Sequence, residues 1–211
     1  MRVMRVCRVI AVWVVTVVAA FSVYSQEPTK PQSKDPAATT TKTTIPDYVF
    51  PTPRERFNRY VKNTVGPERL LRSAASAGIS QWNDSPEEWG QGAKGYGKRF
   101  ASSIGQNAIQ QTVTYGLDSA LKLDTGFKRS KREGFFPRLK DALAQNVTSR
   151  NRSGGRVISI PRFAGVYTGA IIAHETWYPD RYSYKDGLRS GTTTLLTGFG
   201  INVLREFVIR R

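Results

Sequence analysis

The sequence predicts an all-α domain, a bundle of small-residue helices, and three observations carry that expectation. Ser85-Pro86-Glu87-Glu88 reads as a capping box, with Ser at the N-cap, Pro at the first helical position and Glu three residues after the cap. Gly90, Gly97, Ala101, Gly105 and Ala108 then recur at helical spacing, with Thr112 continuing the row. Finally, Phe135 to Val147 places Leu139, Leu143 and Val147 on one face, the stripe of an amphipathic helix.

Glycine inside a helix costs about 1 kcal/mol against alanine, so a glycine stripe needs compensation. Close approach of a second helix supplies it. Gly90, Gly97, Ala101, Gly105 and Ala108 are therefore expected at helix contacts, with Gly92 and Gly95 off the stripe. Gly165 and Gly169 repeat at four before Trp177, and Gly187 and Gly191 open the last segment; the same packing role is expected of them. Trp82 and Trp177 are 95 positions apart, as are Gly92 and Gly187, Gly105 and Gly200, and Asn107 and Asn202. That offset suggests two related helix pairs, 65–120 and 160–207, joined by the amphipathic segment. A rival reading takes the near-alternation of Thr193 to Phe207 as a strand of a small outer-membrane β-barrel.

Ahead of this domain stand two segments of different character. Arg2, Arg5 and Arg8 precede the apolar run Val9 to Val23, and Ser25 closes a small-residue cleavage step, so residues 1–25 read as a signal peptide. Residues 26–53 are rich in Pro, Thr, Lys and Ser and read as a disordered linker, leaving 54–211 as the helical domain. Cys7 would leave with the leader, so no disulfide would hold the exported chain.

The 32 Lys and Arg stand against 16 Asp and Glu; losing three arginines with the leader leaves 29 against 16. Inside a cell such a balance points to nucleic acid. For an exported chain no nucleic acid is expected, and the polyanions at hand are anionic lipid, lipopolysaccharide and cell-wall polymer. Trp82, Trp89, Trp177 and Tyr178 bracket the small-residue segments, as interface anchors would, with Arg181 placed to meet phosphate.

Catalytic signatures are weak. Gly90-Gln-Gly92-Ala-Lys-Gly95 spells the dinucleotide fingerprint, but a helix start precedes it where a buried strand is required. The overlapping near-P-loop has Arg99 where a magnesium-binding Ser or Thr must stand. His174 is the only histidine, and Tyr178 occupies the position of the second zinc ligand in a metalloprotease helix. No metal or cofactor is expected. A His174–Glu175 dyad in an exported hydrolase is the remaining enzymatic alternative.

The strings NDSPEEWGQGAKGYGKRF and RFAGVYTGAII…WYPDR resemble a group of uncharacterised exported bacterial proteins marked by SPxEWGxGxxGxGxR and a late Tyr/Trp-x-Pro step. The resemblance covers most of residues 57–207. It implies a bacterial envelope setting, in the periplasm or at the outer membrane, and helical glycine-rich blocks. It carries no assigned activity and no catalytic residues. Members have an Asp-Pro-Arg-Tyr step where this chain reads Asp124-Thr125-Gly126-Phe127, so no role transfers there. The expectation is a non-enzymatic envelope protein, associated with a membrane or envelope polymer, with self-association open to it.

Overall fold

The computed structural model describes residues 48–208; the leader 1–25 and the linker as far as residue 47 lie outside the described residues. Six α-helices follow one another: α1 (Pro53–Val65), α2 (Pro67–Trp82), α3 (Gly92–Leu121), α4 (Phe135–Val147), α5 (Ile160–Thr176) and α6 (Tyr184–Phe207). A 3₁₀ turn, Glu87–Trp89, precedes α3, and an antiparallel hairpin of β1 (Thr148–Arg150) and β2 (Arg156–Ile158) joins α4 to α5. The architecture is an all-α bundle.

The barrel reading of Thr193 to Phe207 is corrected: these residues belong to α6. The hydroxyls of Thr193, Thr194 and Thr197 each donate to the carbonyl four residues back, so their β-branched side chains are accommodated along the helix. The linker also ends earlier than residue 53. Pro51 is buried, and the Tyr48 hydroxyl donates to Asp124 at 2.8 Å.

Two helices start with capping boxes. On α1 the Thr52 amide donates to Glu55 Oε2 at 2.8 Å while the Glu55 amide donates back to Thr52 Oγ1. Ser183 and Asp186 open α6 in the same way. The box expected at Ser85 does not form. Its residues make the 3₁₀ turn, and α3 begins only at Gly92, after Gly90 and Gly92 take φ of +68° and +79°.

The packing order repeats. A 13-residue helix, one of 16 or 17 residues and a long helix occur twice, as α1–α2–α3 and as α4–α5–α6. In each triplet the long helix packs on both others, and α5 also crosses α3 to join the triplets. A buried asparagine stitches each: Asn107 Nδ2 donates to the Asn63 carbonyl of α1 at 3.0 Å, and Asn202 Nδ2 to the Ala142 carbonyl of α4 at 3.3 Å. The hairpin lies between α4 and α5, where Gly66 alone joins α1 to α2. The offset of 95 therefore holds only from α2 and α5 onward.

At the α3–α5 crossing a Cβ on Gly165 would lie 2.6 Å from the Gln110 carbonyl oxygen, and one on Gly169 2.8 Å from that of Gln106. Between α5 and α6, a Cβ on Gly187 would meet Ile171 Cα at 2.8 Å and one on Gly191 the Tyr167 ring at 2.6 Å. The α3 stripe is corrected. Gly90 precedes the helix, Gly97 and Ala101 face solvent, Ala108 is half-buried, and Gly105 leaves ordinary contact distance to the Trp177 ring. A close crossing needs glycine on only one partner; α5 supplies it, and α3 presents its carbonyls.

The interior is small and polar. Ala77, Ala142, Val166, Ala170 and Ala173 are buried beside Arg99, Asn107, Gln145, Asn146 and Glu206. The larger apolar side chains lie outside: Phe57, Val65, Leu71, Phe136, Ile158 and Leu196 are exposed. Helix α4 shows this inversion most plainly. It buries Asp141, Gln145 and Asn146 and leaves Phe136 and Val147 exposed, with Leu139 and Leu143 half-buried along its outer side, against the facing that its apolar stripe implies.

These contacts separate the glycines by consequence. Gly97→Ala, with open space around the new methyl, is expected to stabilise the chain by about 0.5–1 kcal/mol. Gly169→Ala forces a methyl against backbone and is expected to destabilise it by about 2 kcal/mol or more. Urea midpoints at unchanged slope would measure both.

Candidate functional site

Four clusters gather the chemically capable side chains. The first explains the glycine-rich motif. Arg99 is only 3% exposed, and its guanidinium donates to the carbonyls of Ser85 at 3.0 Å, Pro86 at 2.7 Å and Gly90 at 2.6 Å. It also reaches Gln81 Oε1 at 2.6 Å and Asp84 Oδ1 at 3.3 Å. A side chain on Gly95 would lie against the Gly90 carbonyl and 2.8 Å from Arg99 Nη1, so this glycine, off the predicted stripe, is the one that admits the arginine. The guanidinium takes the Ser85 carbonyl and shares that of Pro86 with the Trp89 amide of the 3₁₀ turn, so the segment before Gly92 is held as a loop closed on Arg99.

Beside it lies an aromatic cluster. Tyr178 stacks on His174 at 4.1 Å, meets Trp89 at 4.9 Å and touches Tyr182 edge-on at 5.4 Å. Burial pushes the Tyr178 hydroxyl pKa up, against the opposing pull of Ser102. Trp177 Nε1 donates to Ser102 Oγ at 2.8 Å, and Arg181 pairs with Glu88 at 2.8 Å. Trp89, Trp177 and Tyr178, expected as interface anchors, thus spend part of their surface on neighbouring rings and on Ser102 of α3, while Arg181 is exposed and paired with Glu87 and Glu88. Trp82, at the end of α2, is 90% exposed.

The His174–Glu175 dyad is not assembled. His174 is buried with Nδ1 against the Ala170 carbonyl at 2.8 Å, and Glu175 faces solvent. Consecutive helical residues do not face each other, so adjacency in sequence works against such a pair.

The third cluster surrounds a polar cavity of about 30 Å³, room for one water, walled by Arg56, Arg59, Tyr60, Asp118, Asp124 and Thr125 among others. Arg59 is ion-paired with Asp124, which also accepts from Tyr48 and the Gly126 amide. Burial pushes the Asp124 carboxyl upward, but the Arg59 charge and these donors outweigh it and hold the pKa below the usual range. Burial likewise raises Tyr48, with the Asp124 carboxylate adding to the effect. Asp118 goes the other way. Burial lifts its pKa to about 6 despite the Thr125 hydroxyl donating at 2.5 Å, and its Oδ1 has no protein partner.

The fourth is an open apolar groove of about 540 Å³ between α4 and α6, walled by Phe136, Leu139, Leu143, Ala144, Val147 and Phe199, with Lys140 beside them. Arg138 pairs with the fully buried Glu206 at 2.8 Å on the inner side of the same two helices. No family model, curated protein or solved structure matches the chain. The site is therefore read from its own geometry. Sequence reasoning missed Asp118, the carbonyl-binding role of Arg99 and the pairing of Arg138 with Glu206. Glu206 left a usable signal, an acid among Val203, Leu204, Phe207 and Val208 with Arg205 beside it.

Two substitutions test these clusters. Arg99→Lys keeps the charge but cannot reach several carbonyls at once, and is expected to cost about 3 kcal/mol in chemical unfolding. Asp118 holds its proton to about pH 6 when folded but to about pH 4 when unfolded. Its contribution therefore falls as pH rises between those values. Asp118→Asn is expected to match the parent at pH 4 and to exceed it at pH 7 by up to about 3 kcal/mol, read from thermal or urea unfolding.

Proposed function

We propose that the chain is an exported, non-enzymatic protein of the bacterial envelope that associates with an anionic membrane surface. The inverted helices carry this reading. α1 turns Phe57, Val61 and Val65 outward, while Arg59 and Thr64 face the interior. α4 does the same with Phe136 and Val147 outside and Asp141 and Asn146 inside. Apolar side chains turned out from a polar interior suit a solvent less polar than water on at least part of the surface. Among the described residues no helix is long and apolar enough to cross a membrane, so attachment at the interface is the form that fits. The excess of 29 basic over 16 acidic residues that remains without residues 1–25 supplies attraction to anionic lipid, and lipopolysaccharide or an acidic wall polymer would share that chemistry.

Flotation tests the proposal. The chain beginning at Gln26, which keeps the whole compact unit Asp47–Arg211, is mixed with anionic or neutral vesicles at low and high salt. Co-flotation with anionic vesicles, reduced but not abolished by salt, is the expected result. Failure to float under every condition would overturn the membrane reading and turn the search toward a polymer or protein partner.

A further inference from the structure

We infer that the groove between α4 and α6 is the face that enters the acyl layer of an anionic bilayer, with α4 lying in the plane of the interface. This rests on the membrane association proposed above and names where it occurs. The groove runs along α4, lined by Phe136, Leu139, Leu143 and Val147, with Phe199 of α6 at its side. The inner side of the same pair is locked by polar bonds. Asn146 Nδ2 donates to the Leu195 carbonyl at 2.8 Å, Asn202 Nδ2 to the Ala142 carbonyl, and Arg138 holds Glu206. Rolling α4 to bury its leucines would break all three contacts, so the apolar face is held outward by construction of the interior.

Charge identifies the occupant. From Lys128 to Lys140 six basic residues stand against the single acid Glu133, and three of them, Lys128, Arg132 and Arg138, are ion-paired with Asp124, Asp141 and Glu206. Lys140 sits in the groove wall, and Lys131 and Arg132 stand just before the first turn of α4. Of the carboxylates nearby Glu133 is exposed, Asp141 is held by Ser130, Arg132 and Arg156, and Glu206 by Arg138. An apolar strip edged by cations matches acyl chains below phosphate head groups. A second copy docked face to face would bring like charges together. At 13 residues α4 is about 20 Å long, too short to span a bilayer core and suited to lying along it.

The test places an environment-sensitive fluorophore on Leu143→Cys, and separately on Ile79→Cys in α2, in the chain beginning at Gln26, whose sequence has no other cysteine. Both are compared with and without anionic vesicles. Transfer of the Leu143 probe, but not the Ile79 probe, to an apolar environment is expected. Leu143→Asp should lower vesicle partitioning roughly tenfold or more, and Lys140→Glu should lower it on anionic vesicles only. If Leu143→Asp loses helical circular dichroism, the labelled variants decide alone. Flotation of the parent chain with the Leu143 probe still in water would overturn this face while leaving membrane association standing. No flotation of the parent would overturn both. A dimer that Leu143→Asp dissociates without changing flotation would assign the groove to a second copy instead.

Discussion

Everything else in the bundle follows from the closeness of α5 to its neighbours. Gly165 and Gly169 bring α5 onto the carbonyls of Gln110 and Gln106, and Gly187 brings α6 onto the backbone at Ile171. Helices that touch at backbone distance leave little room between them for leucine or phenylalanine. The space is filled by alanine and by polar side chains able to bond to backbone, such as Asn107, Asn146 and Asn202. Their amides land on carbonyls of a facing helix, so cohesion comes from matched polar groups as well as contact area.

Such an interior is sensitive to single changes. A buried Glu206 is tolerable because Arg138 and the Ser130 amide meet it; removing either partner leaves a charge in a place that water does not reach. The same holds around Arg99, where one guanidinium closes a loop of three carbonyls. In water the exposed Phe57, Leu71, Phe136 and Leu196 add little to folding, since the hydrophobic effect rewards only surface removed from solvent. The stability of the isolated chain therefore depends on polar networks to an unusual degree. Covering the apolar face would add the missing term, which couples fold stability to whatever covers it.

Much of this was legible in the sequence, and the misreadings share a cause. Helix α4 was placed from its period almost to the residue, because 3.6-residue spacing reports conformation whatever the surroundings. Its facing was misjudged, because the period tells which residues share a face and not what that face meets; Asn146 and Arg138, bonded to α6, decide it. Thr52-Pro53-Arg54-Glu55 and Ser85-Pro86-Glu87-Glu88 follow one local pattern, yet only the first caps a helix. The difference lies 14 residues beyond Ser85, in Arg99, which a local pattern cannot register. Gly95 and Gly97 likewise look alike in sequence; only the first stands opposite that arginine. The Arg138–Glu206 pair across α4 and α6 joins residues 68 positions apart and left only the acid at Glu206 as a trace.

The two triplets use one plan for different ends. In both, a short helix turns apolar residues outward and a long helix fixes it with an asparagine. Yet the inner face of α1 closes on the polar cavity, with Arg59 against Asp124, whereas α4 is tied by Asn146 and Arg138 and leaves a groove beside α6. The tryptophans 95 positions apart diverge too: Trp177 is bonded to Ser102, while Trp82 at the matching end of α2 stands in the open. A repeated framework relieves each half of building the whole fold. One half can then hold the ionised core around Asp124 while the other keeps an apolar surface exposed. The inverted facing of both short helices makes that exposure a property of the plan and not of one loop, and this is the strongest reason to look for function on the outer surface of the bundle.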